Sequence, residues 1–149
     1  APAALRRARA LVDRDEPVYR EGDFLVVDLT MPPDLGGYLY LDLVNHNGEV
    51  AHLLPEPDLP GNRLPPGGRI RIGVEEVEGR PARYFWRISP PLSPSWLIAT
   101  AAARPLYPGV RPVGEPLADY MPVLLPALAD PAKGARPAAV QPLRLVPRG

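Results

Sequence analysis

Apolar and polar positions alternate with a period of two over much of this chain, and prolines and glycines end the alternating runs. "REGDFLVVDLTMP" reads as a turn and then a strand. Leu25, Val27 and Leu29 form its more apolar face, and Pro32 and Pro33 stop it. "GGYLYLDLVNHNGEVAHLLPE" is the clearest element: runs 38–44 and 49–54 flank Asn47-Gly48, a strong hairpin signal. A turn of two or four residues pairs odd positions of the first run with even positions of the second. That register groups Leu39, Leu41 and Leu43 with Val50, His52 and Leu54. It groups Tyr38, Tyr40, Asp42 and Val44 with Ala51 and Leu53. Apolar side chains on both faces predict a central hairpin covered at least partly on each side.

Further along, "RIRIGV" predicts an edge-like strand with Ile70 and Ile72 inward. "ARYFWRI" predicts another, with Tyr84 and Trp86 on one face, and "WLIATAAA" the last clear strand of the body. Two segments carry a helical period instead. In "APAALRRARALV", Leu5, Ala8, Leu11 and Val12 share a face, which predicts a helix over 1–14. In "GEPLADYMPVLLPALAD", Leu117, Tyr120, Leu124 and Leu128 make a stripe behind Pro116. Pro122 and Pro126 fall inside it, so a kinked or two-piece helix is expected. The elements add up to a mainly antiparallel β domain of about seven strands, with a short helix near each end. Residues 15–130 form the single domain, including the proline-kinked helix, and 131–149 form a tail. The closing "LVPRG", residues 145–149, matches the thrombin cleavage site of expression vectors and is expected to be a scar of one.

Composition narrows the function classes. The 149 residues suit one domain, and 46% hydrophobic with 23% charged residues predicts a folded chain. Basic and acidic residues balance at 17 each, so there is no basic footprint for nucleic acid. With no cysteine, disulfides and thiolate metal sites are excluded. The 23 prolines oppose a mostly helical fold. No apolar run approaches the length of a membrane helix. Ala1 in place of an initiator methionine predicts a fragment of a longer protein or a processed chain.

Candidate chemistry is sparse. The chain has no Gly-x-Ser-x-Gly elbow, no His-Glu-x-x-His and no phosphate loop. His46 belongs to the hairpin turn. His52 is expected on the leucine face with its ring nitrogens on backbone groups, and Asp42 on the face opposite it. A metal site needs three or four converging ligands, so none is expected. Ser89, Ser93 and Ser95 lack a base at a recognisable spacing. Acidic residues 75, 76 and 78 lack a calcium-loop pattern, and Arg6, Arg7 and Arg9 read as a solvated helix face. No catalytic, cofactor-binding or metal-binding residue is therefore assigned. The candidate for contact with a partner is the 55–68 loop. It is stiffened by Pro55, Pro57, Pro60, Pro65 and Pro66, and it carries Asp58, Leu59, Asn62, Arg63 and Leu64. The alternative is that Leu59 and Leu64 only cap the core.

The order of several motifs resembles a bacterial family of domains of unknown function. They are "YREGDFLVVDLTM", "GGYLYLDLVNHNGEVAHLLPE", "NRLPPGGRIRIG", "ISPPLSPSWLIATAAARPLY" and "PLADYMPVLLPAL", spread over residues 18–128. Relatives have Pro-Phe-Gly before the late strand, where this chain has "PPLSPSW". Such domains often follow serine/threonine kinase or caspase-like peptidase domains. The resemblance implies an immunoglobulin-like β-sandwich acting as a non-catalytic accessory binding or sensing module. Its partners would be other domains of the same polypeptide or a protein or peptide ligand, and it implies no cofactor. The competing expectation is a small hydrolase or metal-dependent enzyme with an unrecognised site around His52.

Overall fold

The computed structural model describes residues 8–57, 60–73, 76–77, 80–81, 86–136 and 140–148. Its first strands are Arg9–Val12 (β1), Val18–Arg20 (β2), Phe24–Leu25 (β3), Val27–Thr30 (β4), Gly37–Asn45 (β5) and Glu49–Leu54 (β6). Arg63–Leu64 (β7), Arg69–Ile72 (β8), Glu76–Val77 (β9), Arg80–Pro81 (β10) and Trp86–Arg87 (β11) follow. Ser95–Ala102 (β12), Gly114–Pro116 (β13), the helix Leu117–Ala129 (α1) and Val140–Val146 (β14) complete the chain. The fold is mainly β, with 45% strand against 13% helix.

The central sheet runs β13-β6-β5-β12-β14-β2, with β7 on the start of β5. All its pairs are antiparallel except β14 with β2. A second antiparallel sheet, β1-β4-β8, supplies Ala10, Leu29 and Ile72 to a core shared with Leu39, Leu41, Leu97 and Ala99 of the central sheet. Alternation makes this possible: in β4, Val27 and Leu29 are fully buried while Asp28 and Thr30 face outward. The other face of the central sheet carries a second cluster, in which Tyr40, Val50 and Ala102 meet Leu106, Tyr107, Tyr120 and Ala127. The central hairpin is thus covered on both sides, as the sequence predicts.

The register of that hairpin differs from the expectation. Val44 faces Val50, Leu43 faces Ala51 and Asp42 faces His52, so even positions pair with even. The turn between Asn45 and Glu49 holds three residues, not two or four. Gly48 closes it at φ +82°, and the Asn45 side-chain carbonyl accepts from the amides of Asn47 and Glu49 at 3.0 Å each. An odd loop count moves every side chain of β6 to the other face. His52 therefore shares a face with Asp42 and leaves the leucines. A β-bulge beyond Asp42 then sets Leu41 opposite Leu54, so Leu53 and Leu54 both enter the main core.

The N-terminal helix is also corrected. Residues 9–12 form β1, paired with β4 in the register Ala10↔Leu29, and residues 1–7 lie outside the described part. Ala8 and Ala10 point inward while Leu11 is 60% exposed. A ladder along β4 satisfies the backbone where a short isolated helix is marginal. The described residues hold no helix near that end, and an immunoglobulin-like sandwich of about seven strands is not established. At the other end α1 is one helix of 13 residues with Pro122 and Pro126 inside it, in place of two pieces. Both prolines lie on its exposed side, where water can satisfy the carbonyls they leave free. The 131–149 tail contains β14, whose Leu145 and Val146 pair with Tyr19 and Arg20. Most of the "ARYFWRI" strand and part of the acidic turn lie outside the described residues.

Two glycines separate conformational strain from steric blockage. Gly48 at φ +82° has open space around a would-be Cβ, so Gly48→Ala is expected to cost about 1 kcal/mol. Gly73 at φ +93° would drive its Cβ into the Leu25 carbonyl oxygen, and Gly73→Ala is expected to cost at least about 3 kcal/mol. Urea unfolding of the two variants checks the order. Equal midpoints would contradict it.

Candidate functional site

The hairpin register builds a buried polar cluster from four parts of the chain. His52 on β6 is fully buried. Its Nδ1 lies 2.7 Å from Asp42 Oδ1 on β5, and its Nε2 lies 2.5 Å from Glu115 Oε2 on β13. Arg111 holds Glu115 through both carboxylate oxygens, Nε to Oε2 and Nη2 to Oε1, each at 2.6 Å. Tyr120 on α1 donates its hydroxyl to Asp42 Oδ2 at 2.9 Å. Its ring stands edge-on to the imidazole, 4.6 Å between centroids. Arg111 also lies over the rings of Tyr107 and Tyr120, at 5.9 and 5.7 Å. Tyr40 extends the cluster by accepting from the Leu106 amide at 2.9 Å.

The acceptors fix the protonation state. Both ring nitrogens of His52 face carboxylates, and ionised carboxylates only accept, so both nitrogens donate and the ring is an imidazolium. Burial opposes that charge, but the hydrogen bonds and charges of Asp42 and Glu115 outweigh it, and the pKa is raised above 6.5. For Glu115 the Arg111 guanidinium is the main cause of a value held below 4.5, with His52 adding to it against burial. Burial and the Asp42 charge push the Tyr120 hydroxyl far up, so it stays a donor. Asp42 and Glu115 thus flank the His52 ring on opposite sides, and Arg111 lies on the far side of Glu115. Neither imidazole nitrogen has a lone pair free for base or metal chemistry. Among the described residues no group of three or more His, Asp or Glu is placed to hold a metal ion.

Beside this cluster the central sheet is left partly uncovered. A groove of about 470 Å³ runs between α1 and the sheet. Its apolar walls include Val44, Ile98, Met121, Leu124, Leu128 and Val140, while Asp42, Thr100 and Tyr120 supply polar groups. Leu128 is 39% exposed and Val140 is 56% exposed, so the walls open to solvent. This combination of apolar lining and a few convergent polar groups is the usual make-up of a ligand site.

The sequence-stated candidates fall differently. His46 is exposed in the turn, as expected, but His52 is bound by carboxylates and not by backbone groups. Ser95 and Ser93 are buried, and Ser95 Oγ donates to the Ser93 carbonyl at 3.0 Å. In the 55–68 loop, Asn62 is buried: its side chain donates to the Leu39 carbonyl at 3.1 Å and its own carbonyl accepts from Leu39 at 2.9 Å. Arg63 and Leu64 form β7 on the start of β5, with Leu64 against the main core and Arg63 exposed beside the Tyr38 ring. Asp58 and Leu59 lie outside the described residues. Sequence reasoning missed Arg111, Glu115 and Tyr120 as polar partners. The available signal was the Asn-His-Asn-Gly turn, which a three-residue loop with a left-handed glycine also fits. Comparison with family models, curated proteins and solved structures gives no match, and the site is read from its own geometry.

Two outcomes follow from the charge arrangement. The raised His52 pKa contributes stability that is complete below about pH 6.5 and is lost as pH rises through the folded value. The depressed Glu115 pKa contributes stability that is complete above about pH 4.5 and is lost as pH falls through its folded value. The advantage of the native chain over His52→Gln is therefore greatest between those limits and shrinks toward pH 9. Urea titrations of both proteins across that range measure it, and a pH-independent difference would contradict the imidazolium assignment. Tyr120→Phe keeps the ring and removes one hydrogen bond to a carboxylate, at an expected cost of about 1.5–3 kcal/mol. An unchanged thermal midpoint would count against that bond.

Proposed function

We propose that this chain is a non-catalytic accessory binding or sensing module, and that its ligand seat is the groove between α1 and the central sheet. The observation that carries the reading is the contrast between two adjacent sites. The imidazole, with both nitrogens on buried carboxylates, is engaged in holding β5, β6 and β13 together. The groove next to it is open, apolar and floored by acceptors. Asp42 accepts one hydrogen bond on each oxygen, and a carboxylate can accept about four in all. An apolar group ending in a donor, an amine or a hydroxyl, fits that floor, whereas a carboxylate would face Asp42 without a proton to share. A side chain or terminus of a protein or peptide ligand carries such a group. The resemblance to a bacterial accessory-domain family agrees with a module that serves a larger polypeptide. Within the 55–68 loop, Arg63 is exposed while Asn62 and Leu64 serve the scaffold, which makes that loop the weaker candidate seat.

The test uses three probes of one chain length: hexylamine, hexanol and hexanoate. Titration followed by amide NMR shifts is expected to give saturable changes at Ile98, Thr100 and Leu124 with the amine and the alcohol, and weaker ones with the acid. Ile98→Lys, which places an ammonium group in the groove, is expected to abolish them without changing the urea midpoint. Absence of saturable shifts with all three probes, or equal shifts with the acid, would sink the assignment.

A further inference from the structure

The outer face of the second sheet carries an arrangement that the groove does not use. In β1-β4-β8, Arg9 pairs with Thr30 and Thr30 pairs with Arg69, so the three stand in one row across three strands. The next row is Leu11, Asp28 and Arg71. All six project to the face opposite Val27 and Leu29, into a concave surface of about 680 Å³. Within the second row the charges are matched: Arg71 donates to both oxygens of Asp28, at 2.8 and 3.1 Å. Among the described residues, neither Arg9 nor Arg69 has an acidic partner. Both are exposed, and the chain as a whole has no net charge. Among the described residues, two positive charges without an acidic partner thus flank one hydroxyl, at a backbone separation of about 10 Å set by two strand spacings.

We propose that the Arg9–Thr30–Arg69 row binds a phosphate monoester carried on the side chain of a peptide. Two guanidinium forks and a hydroxyl offer donors to all three free oxygens of a phosphoryl group. A monoester brings a charge of about −1.5 to −2, which matches the charges of Arg9 and Arg69 together, whereas a carboxylate matches only one of them. The source is a peptide and not the free anion because Leu11, 60% exposed, lies beside the row and offers an apolar contact that inorganic phosphate has no group to use. The binding strand of this site is β1, the segment that a helical reading of the N-terminus would have dispersed around a helix.

The experiment measures fluorescence anisotropy of a labelled pentapeptide with a phosphoserine next to a leucine. The same peptide is run with serine and with glutamate, and inorganic phosphate is added as competitor. Saturable binding is expected for the phosphopeptide alone, with inorganic phosphate competing only weakly. Arg9→Gln and Arg69→Gln are each expected to weaken it about tenfold, since each removes charge-assisted hydrogen bonds. Arg104→Gln, an exposed arginine elsewhere, is expected to leave it unchanged. Circular dichroism spectra of the variants exclude loss of fold. No saturable binding, equal binding of the glutamate peptide, or native affinity in the double arginine variant would overturn the site. Inorganic phosphate binding as tightly as the phosphopeptide would overturn the peptide as its source.

Discussion

The imidazolium of His52 lies between two buried carboxylates, and removing one member of such a set typically costs 3–5 kcal/mol because a charge is left without its partner. That constraint ties together distant parts of the chain. Asp42 comes from the long central strand, Glu115 from the short edge strand, and Arg111 from the segment leading into it. Tyr120 brings in the helix through the second oxygen of Asp42. The helix begins directly after Glu115–Pro116, so the ion set also fixes where α1 starts on the sheet. An apolar core would hold these elements at comparable cost, but it would not fix their relative register so narrowly. The polar set gives each carboxylate oxygen of Asp42 and Glu115 a specific donor.

The two faces of the central sheet are therefore closed in different ways. One is sealed by a second sheet through interdigitated aliphatic side chains, with Leu29, Leu41 and Leu97 fully buried. Small residues on β12, Ala99 and Ala101, take up little space there and let the layers approach. The other face is closed by one helix pinned at Tyr120, together with Leu106 and Tyr107 of the segment before it. A single helix is narrower than the sheet it covers, so Ile98 and Val140 are left beside it as an open apolar strip. The groove is a consequence of that mismatch in width, and Asp42, which orders the interior, is also among the residues that line it.

Asp42 and His52 show how close the sequence comes to the site and where it stops. Both residues and the hairpin that carries them are legible from alternation and from Asn47-Gly48. Their meeting depends on whether the turn holds three residues, because strand faces have a period of two and one residue inverts them. Local composition does not distinguish a three-residue loop from a two- or four-residue one, since a left-handed glycine suits several. The N-terminal segment failed for a related reason. Ala8, Ala10 and Leu11 fit either period over so short a span, and the choice was made by the free edge of β4, which is remote in sequence.

By itself the sequence determined the mainly β composition, the central hairpin, the inward faces of β4 and β8, and the stretch that becomes α1. Those features follow from side-chain alternation and from proline and glycine chemistry, which act over a few residues. Only the tertiary structure decided that Glu115 and Arg111 complete a charge set around His52, that Arg9 stands in a row with Arg69, and that the segment 140–146 enters the sheet between β12 and β2. Each of these joins residues far apart in the chain. The free energy of such a contact depends on burial and on partners that no local window contains.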